Sequence, residues 1–305
     1  MTNGHDNDDV EPAVAERGPT VLRIALGSWL RRLREDCGIS REDAGEAIRG
    51  SHAKITRLER GQTGYKERDV RDLLTLYGVD DPERRETYLD MVRRANQPGW
   101  WHTYNDLLPS WFETYLGLEH AATTIRTYEP QFIPGLLQTA EYTRSIVAPG
   151  PPRETERRVA MRMRRQQILT RREAPTLWAV IDESALRRPV GGARIMREQI
   201  DHLLHAAATL PNVRIQVLPF SAGGSASPGC PFSILRFREP ELADVVYTEQ
   251  LTSSVYLDKP RDVQAYMSAM DQLSVQALPP KASIEFLTAV RRDMRDHDRL
   301  DRAAE

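Results

Sequence analysis

The sequence predicts a multi-domain chain: a small all-α head of five helices, followed by a larger α+β (mixed α/β) domain. Three observations carry that reading. Apolar residues recur at helical spacing from Val21 to about Asn96, and runs at period two appear only beyond it. Pro98-Gly99 separates the two textures. At 305 residues and 40% hydrophobic content, the chain is long enough for two ordinary globular domains. The expected divisions are an acidic disordered tail over 1–20, the helical head over 21–80 and a linking helix over 81–97. An α+β domain over 98–292 and a charged tail over 293–305 complete the chain.

Each element has a local reason. Stops at Gly38, Gly50 and Gly61–Gly64 divide the head into helices near 21–36, 41–48, 52–59 and 67–77. A fifth helix, near 81–96, opens with Asp81-Pro82-Glu83, where proline suits the first turn and the acids suit its positive end. Beyond Pro98, "TTIRTYE", "TLWAVID", "VRIQVLPF", "PFSILRF", "DVVYTEQ" and "SSVYLD" read as strands. Helical patterns near 138–147, 153–171, 192–208 and 261–276 lie between them, which makes the second domain mixed.

Composition removes several classes. No apolar run approaches the roughly 18–20 residues that span a bilayer, and the polar, acidic N-terminus lacks a signal-peptide core. Cys37 and Cys230 form neither a metal spacing nor a disulfide framework, so a reduced cytoplasmic location is expected. The net charge of −2 favours no partner, and charge must be read by region.

The stretch "GSHAKITRLERGQTG", Gly50 to Gly64, poses the functional question, because its helix offers only Ile55 and Leu58 as large aliphatics. Ser40 caps the helix before it and Ser51 caps the helix itself, with a connector too short for anything but a tight turn. Two short helices joined this way are the sequence form of a helix-turn-helix. Ala44, Ala47 and Ile48 then face Ile55 and Leu58, with Leu30, Leu33, Leu73 and Leu76 closing the core; small Ala44 and Gly45 allow a close crossing. Ser51, His52, Ala53, Lys54, Thr56 and Arg57 remain outside. A polar face at a helix N-terminus suits the major groove of double-stranded DNA, where side chains meet base edges. Glu59 should point away from that face and pair with Arg31 or Arg34. Arg60 reads either as a phosphate contact or as a solvated charge.

The run "LGSWLRRLREDCGISREDAGEAIRGSHAKITRLERGQTG" resembles the XRE family, the Cro/phage-repressor class, with "TRLERG" its most specific part. The resemblance implies a lambda-repressor-like head that binds DNA. "PGWWHTY", "YLGLEHAATTIRTYEPQFIPGLLQTAEY", "LWAVIDESALRRPVGG", "LPNVRIQVLPFSAG" and "VVYTEQLTSSVYLD" resemble the domain of unknown function that follows such heads in many actinobacterial regulators. Together these cover about residues 22–290. The resemblance also implies a small partner protein encoded nearby, with this chain acting as a Scr-type, antitoxin-like regulator. It places Arg41 where the family commonly has a phosphate-holding Gln, and His52 where Gln or Arg is usual. Gly50 stands in place of a bulkier residue.

Other motifs carry less. The run Arg153 to Glu173 holds eight arginines against three glutamates, and reads as a solvated helix face with Val159, Met161, Ile168 and Leu169 inward; a second DNA-backbone contact is the sharper alternative. "SAGGSASPGC" lacks the Lys-Ser/Thr of a phosphate loop and reads as a hairpin or pocket lid. His202 and His205 have no third ligand nearby, and "DES" at 182–184 lacks the glycines of a nucleophile elbow. Trp100, Trp101, Tyr104, Trp111 and Phe112 read as packing rather than as a ligand cage. The expectation is therefore a non-enzymatic regulator with no cofactor and no metal, binding an inverted-repeat operator as a homodimer. The alternative is a DNA-tethered small-molecule receptor or enzyme.

Overall fold

A computed structural model describes residues 19–147, 151–223, 229–238 and 242–304, with the side chains of Ser110 and of 295–304 left aside. The expected tail over 1–20 lies outside the described residues as far as residue 18. Pro19 and Thr20 already belong to a helix. The chain divides into two compact units, Met1–His102 and Thr103–Glu305, so the first runs four residues past Pro98.

The first unit is all-α: α1 (Pro19–Asp36), α2 (Arg41–Ala47), α3 (His52–Glu59), α4 (Glu67–Leu76) and α5 (Pro82–Ala95). Its core joins Leu22, Leu26 and Leu30 of α1 to Ala44, Ile48, Ile55, Leu58, Val70, Leu73 and Leu74, all 3% exposed or less. Leu76, expected in this core, is 37% exposed, because the inward face of α4 runs through Val70, Leu73, Leu74 and Tyr77. The helix at 81–97 is no mere linker. Tyr88, Leu89, Met91, Val92 and Ala95 of α5 belong to the same core. Asp81 caps α5 by accepting from the Arg84 amide at 2.8 Å. Asn96 then closes it onto Tyr65, accepting from its amide (3.0 Å) and donating to its carbonyl (2.6 Å).

The second unit is built on a six-stranded sheet, β1 (Thr124–Glu129), β2 (Thr176–Asp182), β3 (Val213–Leu218), β4 (Phe232–Arg236), β5 (Val245–Glu249) and β6 (Ser254–Leu257). The strand order is β3-β2-β1-β4-β5-β6. The first three strands are parallel, as helical crossovers require, and the last three are antiparallel hairpin partners. Around it lie α6 (Ser110–Ala121), α7 (Ala140–Ile146), α8 (Pro152–Arg165), α9 (Glu183–Arg187), α10 (Ala193–Thr209), α11 (Pro260–Gln276) and α12 (Pro280–Ala304). One sheet face carries Tyr128, Val180, Leu218, Phe232, Ile234 and Val246, covered by Met270, Leu273 and Ala277 of α11 and the turn after it. The alternate residues Ile125, Leu177, Ala179, Ile181, Val217 and Leu235 are 0–1% exposed, so the opposite face is covered as well.

The expected charged tail over 293–305 is a continuation of α12, which runs to Ala304. Five residues of "SAGGSASPGC", 224–228, lie outside the described residues. No helix among the described residues is long and apolar enough to cross a membrane.

Candidate nucleic-acid interface

The α2–turn–α3 unit is held by its caps. Ser40 accepts from the Asp43 amide at 3.1 Å and its hydroxyl donates to the Asp43 carboxylate at 2.7 Å. Ser51 accepts from the Lys54 amide at 3.3 Å. Between them, Gly50 N donates to Gly45 O (2.8 Å) and Arg49 N to Glu46 O (2.9 Å), a Schellman closure of α2. The left-handed residue is Arg49 (φ 52°), one position before Gly50. Gly45 suits a close crossing: a Cβ there would lie 3.0 Å from the Ser51 carbonyl carbon, so α3 begins against the backbone of α2. A second closure ends α3 at Gly61 (φ 63°), where Gln62 N reaches Arg57 O (2.9 Å) and Gly61 N reaches Leu58 O (2.9 Å).

The electrostatics fix the angle between these helices. Glu59 is 5% exposed at its side chain and accepts from Arg34 Nε (2.5 Å) and Arg41 Nε (3.0 Å). The Glu59 hydrogen bond raises the Arg34 pKa further and keeps its guanidinium charged; Arg34 also donates to Ile39 O at 2.8 Å. Glu59 therefore points inward and pairs with Arg34, one of the two expected partners, and with Arg41. The side chain of Arg41 stays 40% exposed at the start of α2, one end anchored and the rest available to a phosphate.

The expected contact residues do not share one fate. Ser51, His52, Ala53, Arg57 and Arg60 are exposed around α3, and Thr56 is half-buried. Thr56 donates its hydroxyl back to His52 O at 3.0 Å, and its oxygen keeps its capacity to accept. Lys54 has a partner within the head that the sequence reading did not give it. Its Nζ donates to Asp69 Oδ2 at 2.5 Å, and Asp69, on α4, is 1% exposed. Lys54 is thus a strut between α3 and α4, a contact 15 residues away in sequence that local pattern does not announce. Lys66 and Arg68, exposed at the start of α4, add positive charge that the sequence reading passed over.

In the second unit the arginine run keeps Arg153, Arg164 and Arg172 exposed, as a solvated face requires, but not every arginine lies on that face. Val159, Met161, Ile168 and Leu169 are buried, but so is Arg165, at 9% exposure. Arg165 grips Glu119 of α6 through Nε and Nη2, both at 2.5 Å, and lies over the rings of Phe112 and Tyr115. Burial opposes its charge, yet Glu119 outweighs burial and keeps the guanidinium protonated. Arg162 donates to Gln138 Oε1 at 2.9 Å, and burial pulls its pKa down to about 10. Beside them, at the carboxyl end of β1, burial pushes the Glu129 carboxyl up to about 8. Of the aromatic residues read as packing, Trp100 and Trp101 lie in the first unit and Tyr104, Trp111 and Phe112 in the second.

Comparison with known proteins matches these two units separately. A helix-turn-helix domain model matches residues 25–87, the segment that holds α2 and α3. The family model described as Domain of unknown function (DUF5753) matches residues 112–289, more than half of the chain. The chain belongs to the DUF5753 family. No curated protein and no solved structure matches it. For this DUF5753 member the helix-turn-helix match supports a DNA-binding regulator, and the family model covers the whole six-stranded sheet without assigning it an activity.

Proposed function

We propose that this chain is a sequence-specific transcriptional regulator of the XRE type, binding an inverted-repeat operator as a homodimer. The exposed N-terminal half of α3, set on a fixed α2–α3 angle, carries the reading. His52, Ala53, Thr56 and Arg57 face the base edges, Arg41 holds a phosphate, and Arg60, Lys66 and Arg68 add backbone contacts. Selection from a randomised duplex pool tests it. The expected product is an inverted repeat with half-sites about 34 Å apart, or a multiple of that. A pool that stays unenriched would sink the proposal.

The second domain, on this reading, pairs the heads and senses a small partner protein, as an antitoxin-like regulator does. We assign it no catalytic role; Asp182 and Ser184 serve the fold on this reading, Asp182 capping α9 by accepting from the Ser184 amide (2.9 Å) and the Ser184 hydroxyl sitting 2.6 Å from both Asp182 Oδ1 and Pro130 O. One observation favours a second reading, that of a small-molecule receptor. Glu129 ends β1 with Arg162 and Arg165 nearby, where the parallel and antiparallel halves of the sheet meet. Co-purification of the native protein, with identification of what is bound, separates a partner protein from a small ligand.

A further inference from the structure

The two edges of the sheet are finished differently. Along β3, three outward backbone groups are occupied. Val213 N donates to Leu210 O (3.0 Å), Val217 N donates to Ser283 Oγ (3.0 Å), and Val217 O accepts from Leu278 N (2.8 Å). Along β6, no backbone partner other than β5 is found among the described residues.

The hairpin register says which groups are left over. Gln250 N donates to Ser253 O at 2.8 Å, so that pair is hydrogen-bonded. Antiparallel pairs alternate, so Glu249 and Ser254 form a non-bonded pair, Thr248 and Val255 a bonded one, and Tyr247 and Tyr256 a non-bonded one. The N–H and C=O of Ser254 and Tyr256 therefore point away from the sheet. Two usual protections of such an edge are missing: residues 253–257, Ser-Ser-Val-Tyr-Leu, contain no charge and no proline. Two exposed apolar side chains mark the same edge and its turn, Val255 at 40% and Leu251 at 99%.

We propose that β6 pairs with β6 of a second copy of this chain, antiparallel about a two-fold axis through Val255. This rests on the homodimer reading above and specifies its surface. An antiparallel edge is complementary to itself, which a parallel one is not. Centred on Val255, the pairing sets Ser254 of each copy opposite the partner's Tyr256 and satisfies all four outward groups on each strand. It sets Asp258 against the partner's Thr252 and Lys259 against the partner's Leu251, so no charge meets its own image. The two Val255 side chains meet as a non-hydrogen-bonded pair, with Cα atoms about 4.5 Å apart. The result is one continuous twelve-stranded sheet, two copies of the six-stranded one. Four-residue strands bury little area for a dimer, so the association is expected to be concentration-dependent and reinforced by a two-site operator.

The test uses the full chain with Cys37→Ser and Cys230→Ser, which removes both native thiols. Val255→Cys should give a disulfide-linked dimer on mild oxidation, because facing residues of a non-bonded pair bring their Cβ atoms within disulfide reach. Val275→Cys, 85% exposed on α11, should not. Val255→Lys, a change at an exposed side chain that the folded monomer tolerates, should raise the sedimentation midpoint of dimerisation by roughly tenfold or more, since two ammonium groups then face each other across the axis. Val275→Lys should leave that midpoint in place. A dimer that neither cross-links through position 255 nor weakens with Val255→Lys overturns the β6 pairing and leaves the homodimer standing elsewhere. A chain that stays monomeric through the micromolar range, with and without inverted-repeat DNA, overturns both.

Discussion

Glu59 in the first unit and Glu119 in the second are both nearly sealed, at 5% and 2% side-chain exposure, and both are held by arginine. They differ in where the charge leads. Glu59 sits between buried Arg34 and half-exposed Arg41, so its ion pair runs from the core to the surface beside α3. Glu119 closes on Arg165 beneath two aromatic rings, and that pair ends inside the domain. The same residue pair thus leads out to a half-exposed arginine in one place and fixes a core in the other. Arginine density in the sequence does not tell the two apart.

The largest expected effects test whether the units are as separate as this contrast assumes. Ile55→Asp places an unpaired charge among α1, α2 and α3, at a side chain 1% exposed. It should unfold the head and abolish DNA binding, while calorimetry still shows the transition of the second unit. Loss of both transitions would break the comparison. Arg165→Ala strands Glu119 and should destabilise the second unit by about 3–5 kcal/mol, with operator affinity per folded head unchanged.

Intermediate effects separate the roles on the head's surface. Arg41→Ala should weaken binding to every sequence and reduce the salt slope by about one unit, as loss of one phosphate contact does. His52→Ala should instead change which operators are preferred. If Arg41→Ala alters preference and leaves the salt slope intact, the outward path from Glu59 does not end on a phosphate.

A pH series sharpens the other side of the comparison. The folded pKa of Glu129 stands above its unfolded value, at about 8, so its protonated form stabilises the second unit. That contribution is full below the unfolded carboxylate range and is lost as pH rises through about 8. Glu129→Gln should therefore be more stable than the parent at pH 9 and lose that advantage by pH 4, read as midpoints of urea unfolding. A constant difference across the series would remove Glu129 from the account. The smallest effect is expected at Arg49→Gly. Relief of left-handed strain, offset by the unfolded-state entropy of glycine, should stabilise the head by about 0.5–1 kcal/mol without altering operator choice.

Much of the architecture was legible because its signals are local. Ser40 and Ser51 cap the helices they were expected to cap, Asp81 caps the helix it was expected to open, and the six apolar runs are the six strands. What was missed has nonlocal causes. Helix α6 shows little periodicity, since Tyr115, Leu116, Leu118 and Glu119 are all buried around its circumference. Helix α12 does carry Leu287, Val290 and Met294 inward at helical spacing, but its charged residues read as a tail. At the candidate interface, the exposed positions of α3 follow from its two aliphatic anchors. Lys54 does not, because its engagement depends on a buried acid one helix away. Neither does the inward turn of Arg162 and Arg165, which depends on Glu119 and Gln138 arriving from elsewhere in the chain.

The pairing of β1 with β4 also sets an order of events during synthesis. Thr123 and Arg236, which meet at the end of that pairing, are 113 residues apart. The centre of the sheet therefore cannot close until most of the second unit has left the ribosome, whereas the head needs only contacts within the first unit, already translated. Each nascent chain should carry a finished DNA-binding head while its sheet still lacks β4, β5 and β6. Assembly through β6 would come last, so synthesis itself delays two-headed binding until the whole chain is made.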